Sequence, residues 1–74
     1  PVGFWMKNVL IELDMVFLRN GKVVDIASNV PPCKSDPCPV YGPPSPIDQV
    51  IELRGGRAKE LGIKPGDRLQ IQAL

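Results

Sequence analysis

The chain has 74 residues, 43% apolar and 23% charged, which makes one small domain of ordinary globular composition. It contains no histidine, which excludes Ser-His-Asp and Cys-His catalysis, the H-E-x-x-H metalloprotease motif and most zinc sites. Nine lysines and arginines against eight acids leave a net charge of +1, too small an excess to drive phosphate-backbone binding, so nucleic acid is not an expected partner. No run of about 20 apolar residues is present, so this fragment does not insert directly into a membrane. The chain opens at Pro1 rather than at methionine and reads as a processed chain or an excised piece.

Val9, Ile11, Leu13, Met15 and Phe17 are apolar at a period of two, while Leu10, Glu12, Asp14, Val16 and Leu18 are mixed. That alternation predicts a strand with one core face. Asn20-Gly21 tolerates the two positive φ angles of a type I′ turn, and Lys22 to Ala27 returns as a second strand. A regular two-residue hairpin sets Phe17 opposite Val24 and Met15 opposite Ile26, with Asp14 facing Ala27 and Asp25 facing Val16.

Seven of the nine prolines then fall between Pro31 and Pro46. Proline lacks the amide proton a ladder needs, so this stretch is predicted to be an irregular surface loop rather than helix or central strand. Beyond it, Ile47, Ile51 and Leu53 mark a strand that Val50 fits only partly, and Arg57 to Leu61 a short helix. Gly62 suits the left-handed position of a Schellman cap, with Ile63 packing back toward Ala58. Lys64-Pro65-Gly66-Asp67 suits a type II turn, and Leu69, Ile71 and Ala73 a last strand. The expected fold is mainly β: a small antiparallel sheet, open barrel or sandwich with one short helix and a long proline-rich loop.

Cys33 and Cys38 have a spacing that fits neither a C-x-x-C redox motif nor, without a second pair, a zinc site. A structural disulfide in an oxidising compartment is the leading reading, beside two inert thiols and a minor redox or metal role. Glu12 and Asp14 lie two apart on one strand face and suit an acid/base pair or a hard-cation site, although a solvated strand face explains them as simply. Trp5 with Phe4, next to Lys7 and Asn8, suits a ligand platform with oriented hydrogen bonds, or else core filling. Tyr41 is the further aromatic that either lines a surface or anchors the loop. Gly55-Gly56 ahead of the helix allows close approach of an anion, yet carries no nucleotide signature.

The blocks GFWMKNVLIELDMVF, PPC....PCPVY and VIEL..GRAKELGIKPGDRL, in that order, resemble the DUF192 family of bacterial and archaeal proteins. The resemblance covers nearly the whole chain. Its specificity lies in the ordered set, since GIKPGDRL alone recurs in unrelated β proteins. It implies a compact, predominantly β fold and, in many members, an upstream export signal or membrane anchor; it assigns no reaction and no ligand. By position the family's hallmark residues are Phe4, Trp5, Met6, Lys7, Asn8, Leu13 and Asp14, then Cys33, Cys38 and Tyr41, then Gly62, Gly66 and Asp67. Glu12 stands where the family usually has proline, and the family's extra strands before GFWMKN are missing.

These readings converge on one domain over residues 1–74, without cofactor or metal, monomeric, and extracytoplasmic: periplasmic, secreted or anchored through an upstream segment. Its expected function is non-enzymatic binding of a small ligand or a protein by Trp5, Lys7, Asn8, Asp14 and Tyr41. Three alternatives stand beside it: a hydrolase using Glu12 and Asp14, a PDZ-like peptide-binding module that captures a strand at its sheet edge, and a purely structural domain.

Overall fold

The computed structural model describes residues 3–5, 11–35 and 37–69, with Phe4 and Trp5 described by their backbone alone. The elements in chain order are β1 (Phe4–Trp5), β2 (Leu13–Arg19), β3 (Lys22–Val30), β4 (Val40–Tyr41), β5 (Gln49–Arg54) and helix α1 (Arg57–Glu60). The fold is mainly β. An antiparallel sheet in the order β3-β2-β5 forms its centre, and β1 and β4 pair as a separate two-stranded ribbon.

Strand β2 is the axis of the molecule. Asp14, Met15, Val16, Phe17 and Leu18 are all buried, so both of its faces are covered. Met15 and Phe17 pack with Val30 beneath Cys33, Tyr41, Ile47 and Val50. Val16 and Leu18 pack with Val23 and Ala58 beneath Ile51, Leu53, Ile63 and Leu69. The expectation of a single core face is therefore corrected: β2 is a central strand between two apolar layers. Val50 fits the alternation poorly because it serves the first layer while Ile51 and Leu53 serve the second. Ile47 joins that first layer from outside the strand, which starts at Gln49. Ile11, placed by alternation on the core face, precedes β2 and is 57% exposed; Val9 lies outside the described residues.

The Asn20-Gly21 turn forms as the sequence requires, with φ of 52° and 77°. The strands it joins do not keep the regular register. Leu18 faces Val23, but Phe17 faces Asp25 and Met15 faces Ala27, because Val24 is left without a partner in a bulge. The pairs expected between Phe17 and Val24 and between Met15 and Ile26 are thus shifted by one residue. The physical reason is visible in the packing. Regular pairing would set Asp25 against fully buried Val16, in the layer under the helix; the bulge puts Ile26 there instead and leaves Asp25 exposed.

The proline-rich segment is no central strand, as expected, but it is more than a surface loop. It supplies β4, buries Cys38 and Pro43, and lays Cys33 and Tyr41 over the Met15–Phe17 layer. On the far side of the sheet the chain leaves α1 through a Schellman cap. The Ile63 amide donates to the Ala58 carbonyl and the Gly62 amide to that of Lys59, both at 3.0 Å. The 64–67 turn follows, closed by the Asp67 amide on the Lys64 carbonyl at 3.1 Å, with Gly66 at φ 94°. The chain then runs along the outer edge of β3, where Arg68 pairs with Lys22. Ile71 and Ala73 of the expected last strand lie outside the described residues.

Gly62 has φ 70°, and a Cβ built there meets nothing within 4 Å. Backbone conformation alone therefore sets the penalty of Gly62→Ala, about 1 kcal/mol. Gly62→Asn, better suited to the left-handed region, is expected to lose less; urea unfolding of the two variants checks the order.

Candidate functional site

Asp14 is the most heavily engaged polar side chain among the described residues, and it is fully buried. Three backbone amides, from two parts of the chain, donate to its carboxylate: Asn29 of β3 to Oδ1 at 2.8 Å, and at the start of α1 Gly56 to Oδ1 at 3.1 Å and Ala58 to Oδ2 at 2.9 Å. Asn29 and Gly56 are each aimed by a local irregularity, whereas Ala58 offers a first-turn helix amide. Between Leu13↔Val30 and Met15↔Ala27, β3 carries two residues, Ser28 and Asn29, against Asp14 alone. In this second bulge Asn29 adopts φ 52°, which turns its amide toward Asp14. Gly56 holds φ 88° at the N-terminus of α1 and has no side chain with which to cap it. Asp14 caps the helix from across the molecule instead. The approach is close: the Gly55 amide donates to the Glu12 carbonyl at 3.0 Å, and a Cβ at Gly55 would stand 3.0 Å from that of Glu12.

Burial pushes the Asp14 carboxyl up, but the hydrogen bonds from Asn29, Ala58 and Gly56 outweigh it and hold the group below its ordinary value. It is a permanent anion at neutral pH. With its oxygens already accepting three amides and no exposed surface, Asp14 acts as a junction that fixes the β3 bulge and the helix start to the central strand. Glu12, its candidate partner as acid or base, lies before β2 and is exposed, so the two carboxylates occupy different environments. Among the described residues no cluster of three or more His, Cys, Asp or Glu side chains is placed to hold a metal.

Trp5 and Tyr41, two further candidate residues, both lie in the β1–β4 ribbon. Phe4 is the register partner of Tyr41, and Trp5 that of Val40. Tyr41 is half-buried against the Met15–Phe17 layer, whereas Val40 is 66% exposed, more than any other large apolar residue described. Lys7 and Asn8 lie outside the described residues. Cys33 and Cys38 form a disulfide with a Cα–Cα distance of 5.8 Å, closing the loop just before β4. Such a cross-link belongs to oxidising, extracytoplasmic compartments. No helix among the described residues is long and apolar enough to cross a membrane.

Sequence reasoning placed Asp14 at the site but missed Asn29 and the capping role of the Asp14–Gly56 contact. The signal was present. A helix start that reads Gly-Gly, with no Ser, Thr, Asp or Asn, leaves its amides needing an acceptor from elsewhere, and Asp14 shares a strand face with the aliphatic Val16 and Leu18.

A small mainly-β domain with this arrangement is one that comparison with known proteins places in a family. The DUF192 model, described as Uncharacterized ACR, COG1430, matches residues 1–71, and the chain belongs to that family. The fold is also similar to the crystal structure of a protein of unknown function from Novosphingobium aromaticivorans DSM 12444, at 38% identity and a TM-score of 0.80. That match covers 90% of this chain and 46% of the other, so the chain spans less than half the length of that bacterial relative. Among the curated proteins nothing matches.

Proposed function

We propose that this DUF192 domain is a non-enzymatic, extracytoplasmic binding module whose ligand or protein partner meets the β1–β4 ribbon, with Trp5, Lys7, Asn8 and Tyr41 at the contact and Asp14, on the opposite face of β2, holding the central strand to the helix. The observation that carries the reading is Val40: a large apolar side chain 66% exposed on β4, in register with Trp5 and next to Tyr41. An exposed apolar residue beside aromatic positions suits a surface that becomes covered on binding. The engagement of Asp14 with three amides supports a structural rather than a chemical task for that carboxylate. The disulfide supports the extracytoplasmic part of the reading.

The test is an amide-shift titration of the isotope-labelled 74-residue chain with small-molecule, sugar and peptide libraries. Saturable shifts clustered on residues 4–8 and 40–41, abolished in Trp5→Ala, are the expected result. Binding that Trp5→Ala leaves intact overturns it. A second reading, peptide capture by strand addition, is favoured by the position of β5, which ends the β3-β2-β5 sheet among the described residues. In the same titration it predicts shifts confined to residues 49–54.

A further inference from the structure

At the hairpin end of the sheet the cross-strand pairing sets like charges side by side. Arg19 is the register partner of Lys22, and Lys22 in turn is the bridge partner of Arg68. Partners directly opposite one another in a sheet project from the same face, so three exposed cations form a row across three neighbouring segments. The spacing is tight. The Leu69 amide donates to the Gly21 carbonyl and the Val23 amide to the Asp67 carbonyl, each at 2.8 Å, which brackets Lys22 and Arg68 as a non-hydrogen-bonded pair. In such pairs the Cα atoms stand about 4.5 Å apart and the side chains are closest. Arg19 and Lys22 flank the two-residue Asn20-Gly21 turn and are held about 5.5 Å apart.

Like charges directly opposite in a sheet are destabilising, and no ion pair among the described residues joins a carboxylate to any of the three. The ion pairs described join Arg54 and Arg57 to Glu60, away from the row. The nearby acids are engaged with backbone: Asp48 accepts the Asn20 amide, Asp25 the Ile26 amide and Asp67 the Lys64 amide, each at 2.9 Å. Protection of an open sheet edge, the common reason for an edge lysine, does not apply at Lys22, because residues 66–69 already cover that edge of β3. The row is thus a place where the sequence departs from its own pairing rules without a gain to the fold.

We propose that Arg19, Lys22 and Arg68 form a phosphate-binding row, in which the two arginine forks and the central ammonium converge on the oxygens of one phosphate group. Arginine offers planar paired donors to phosphate and lysine a point charge, and the tight turn fixes their backbone before the ligand arrives. The phosphate is carried either by a soluble ester or by a lipid headgroup. This surface is separate from the β1–β4 ribbon, so either proposal can fail while the other stands.

The experiment titrates the labelled chain with inorganic pyrophosphate in low-salt buffer, with potassium chloride at matched ionic strength as the control. The expected result is a saturable shift of the amides of residues 19–22 and 67–69, weakened about tenfold in Lys22→Gln, the loss of one charge-assisted contact. Lys59→Gln on α1 is expected to leave it unchanged. Pyrophosphate should also raise the thermal midpoint of the parent chain but not that of Lys22→Gln, which in low salt without phosphate should melt no lower than the parent. Shifts spread equally over Arg54, Arg57, Lys59 and Lys64, or reproduced by chloride, overturn the proposal. Sedimentation with phosphatidylglycerol vesicles but not phosphatidylcholine vesicles, lost in Lys22→Gln, assigns the phosphate to a lipid; pyrophosphate binding without sedimentation assigns it to a soluble ligand.

Discussion

Asp14→Ala is expected to destabilise the domain by about 3–5 kcal/mol, because it removes the shared acceptor of three amides at once, the Ala58 bond buried and the Asn29 and Gly56 bonds partly so, and empties a fully buried site. A domain of this length has roughly 4–11 kcal/mol of stability in total, so the variant is expected to be largely unfolded or close to it. Asp14→Asn is the informative partner. It preserves the shape and one accepting oxygen but turns an NH2 group toward amides that themselves donate, and a loss of about 2–3 kcal/mol is expected. Glu12→Gln, two residues away and exposed, should change stability by less than about 0.5 kcal/mol. Urea unfolding gives the three values. Hydrogen exchange adds the specific signature, faster exchange at Asn29, Gly56 and Ala58 in Asp14→Asn, and protection at those three amides equal to the parent's would refute the junction.

The same carboxylate makes stability depend on pH with a definite sign. Its folded pKa is depressed below the ordinary value of 3.8, so the folded state favours the anion. The stabilisation from this group is fully present above the unfolded value and is lost as pH falls through the folded one. The difference in stability between the parent and Asp14→Asn should therefore be constant from neutral pH down to about pH 5 and should narrow below pH 3.8, where the protonated acid comes to resemble the amide.

How much of this was legible in the chain differs by element, for physical reasons. The Asn20-Gly21 turn, the Gly62 cap and the Pro65-Gly66 turn were readable because each depends on a few adjacent residues whose backbone freedom is set by their own chemistry. The two bulges in β3 were not, because they are selected by what lies across the sheet. The bulge at Val24 keeps Asp25 out of the layer beneath the helix, and the bulge at Asn29 supplies Asp14 with a donor. Neither requirement exists until the layers are assembled. The burial of Asp14 was obscured for a related reason: alternation assigns a strand one wet face, whereas β2 has none, and its continuous run from Asp14 to Leu18 is the pattern of a strand covered on both sides. The family was legible because its blocks are spread along the chain and keep their order. The surface at Trp5, Lys7 and Asn8 rests on residue types alone.

Removal of the Cys33–Cys38 disulfide is expected to lower stability by about 2 kcal/mol, the chain-entropy value for so short a loop, and to do so unevenly across the molecule. Cys33 and Tyr41 cover the Met15–Phe17 layer, and the backbone between them meets the rest of the described structure chiefly through the two-residue pairing of β4 with β1. The cross-link therefore carries an unusual share of the order of this segment. The opposite layer, sealed by Ala58, Ile63 and Leu69, contains neither cysteine. Cys33→Ser/Cys38→Ser should accordingly show a lower urea midpoint and faster tryptic cleavage after Lys34, which lies within the cross-linked loop and is already exposed. Hydrogen exchange at Gly62 and Ile63, once corrected for the change in global stability, should match that of the parent. Equal cleavage rates with and without the cross-link would mean that proline content and packing alone hold the segment in place, and the disulfide would then be a mark of the compartment rather than a support of the fold.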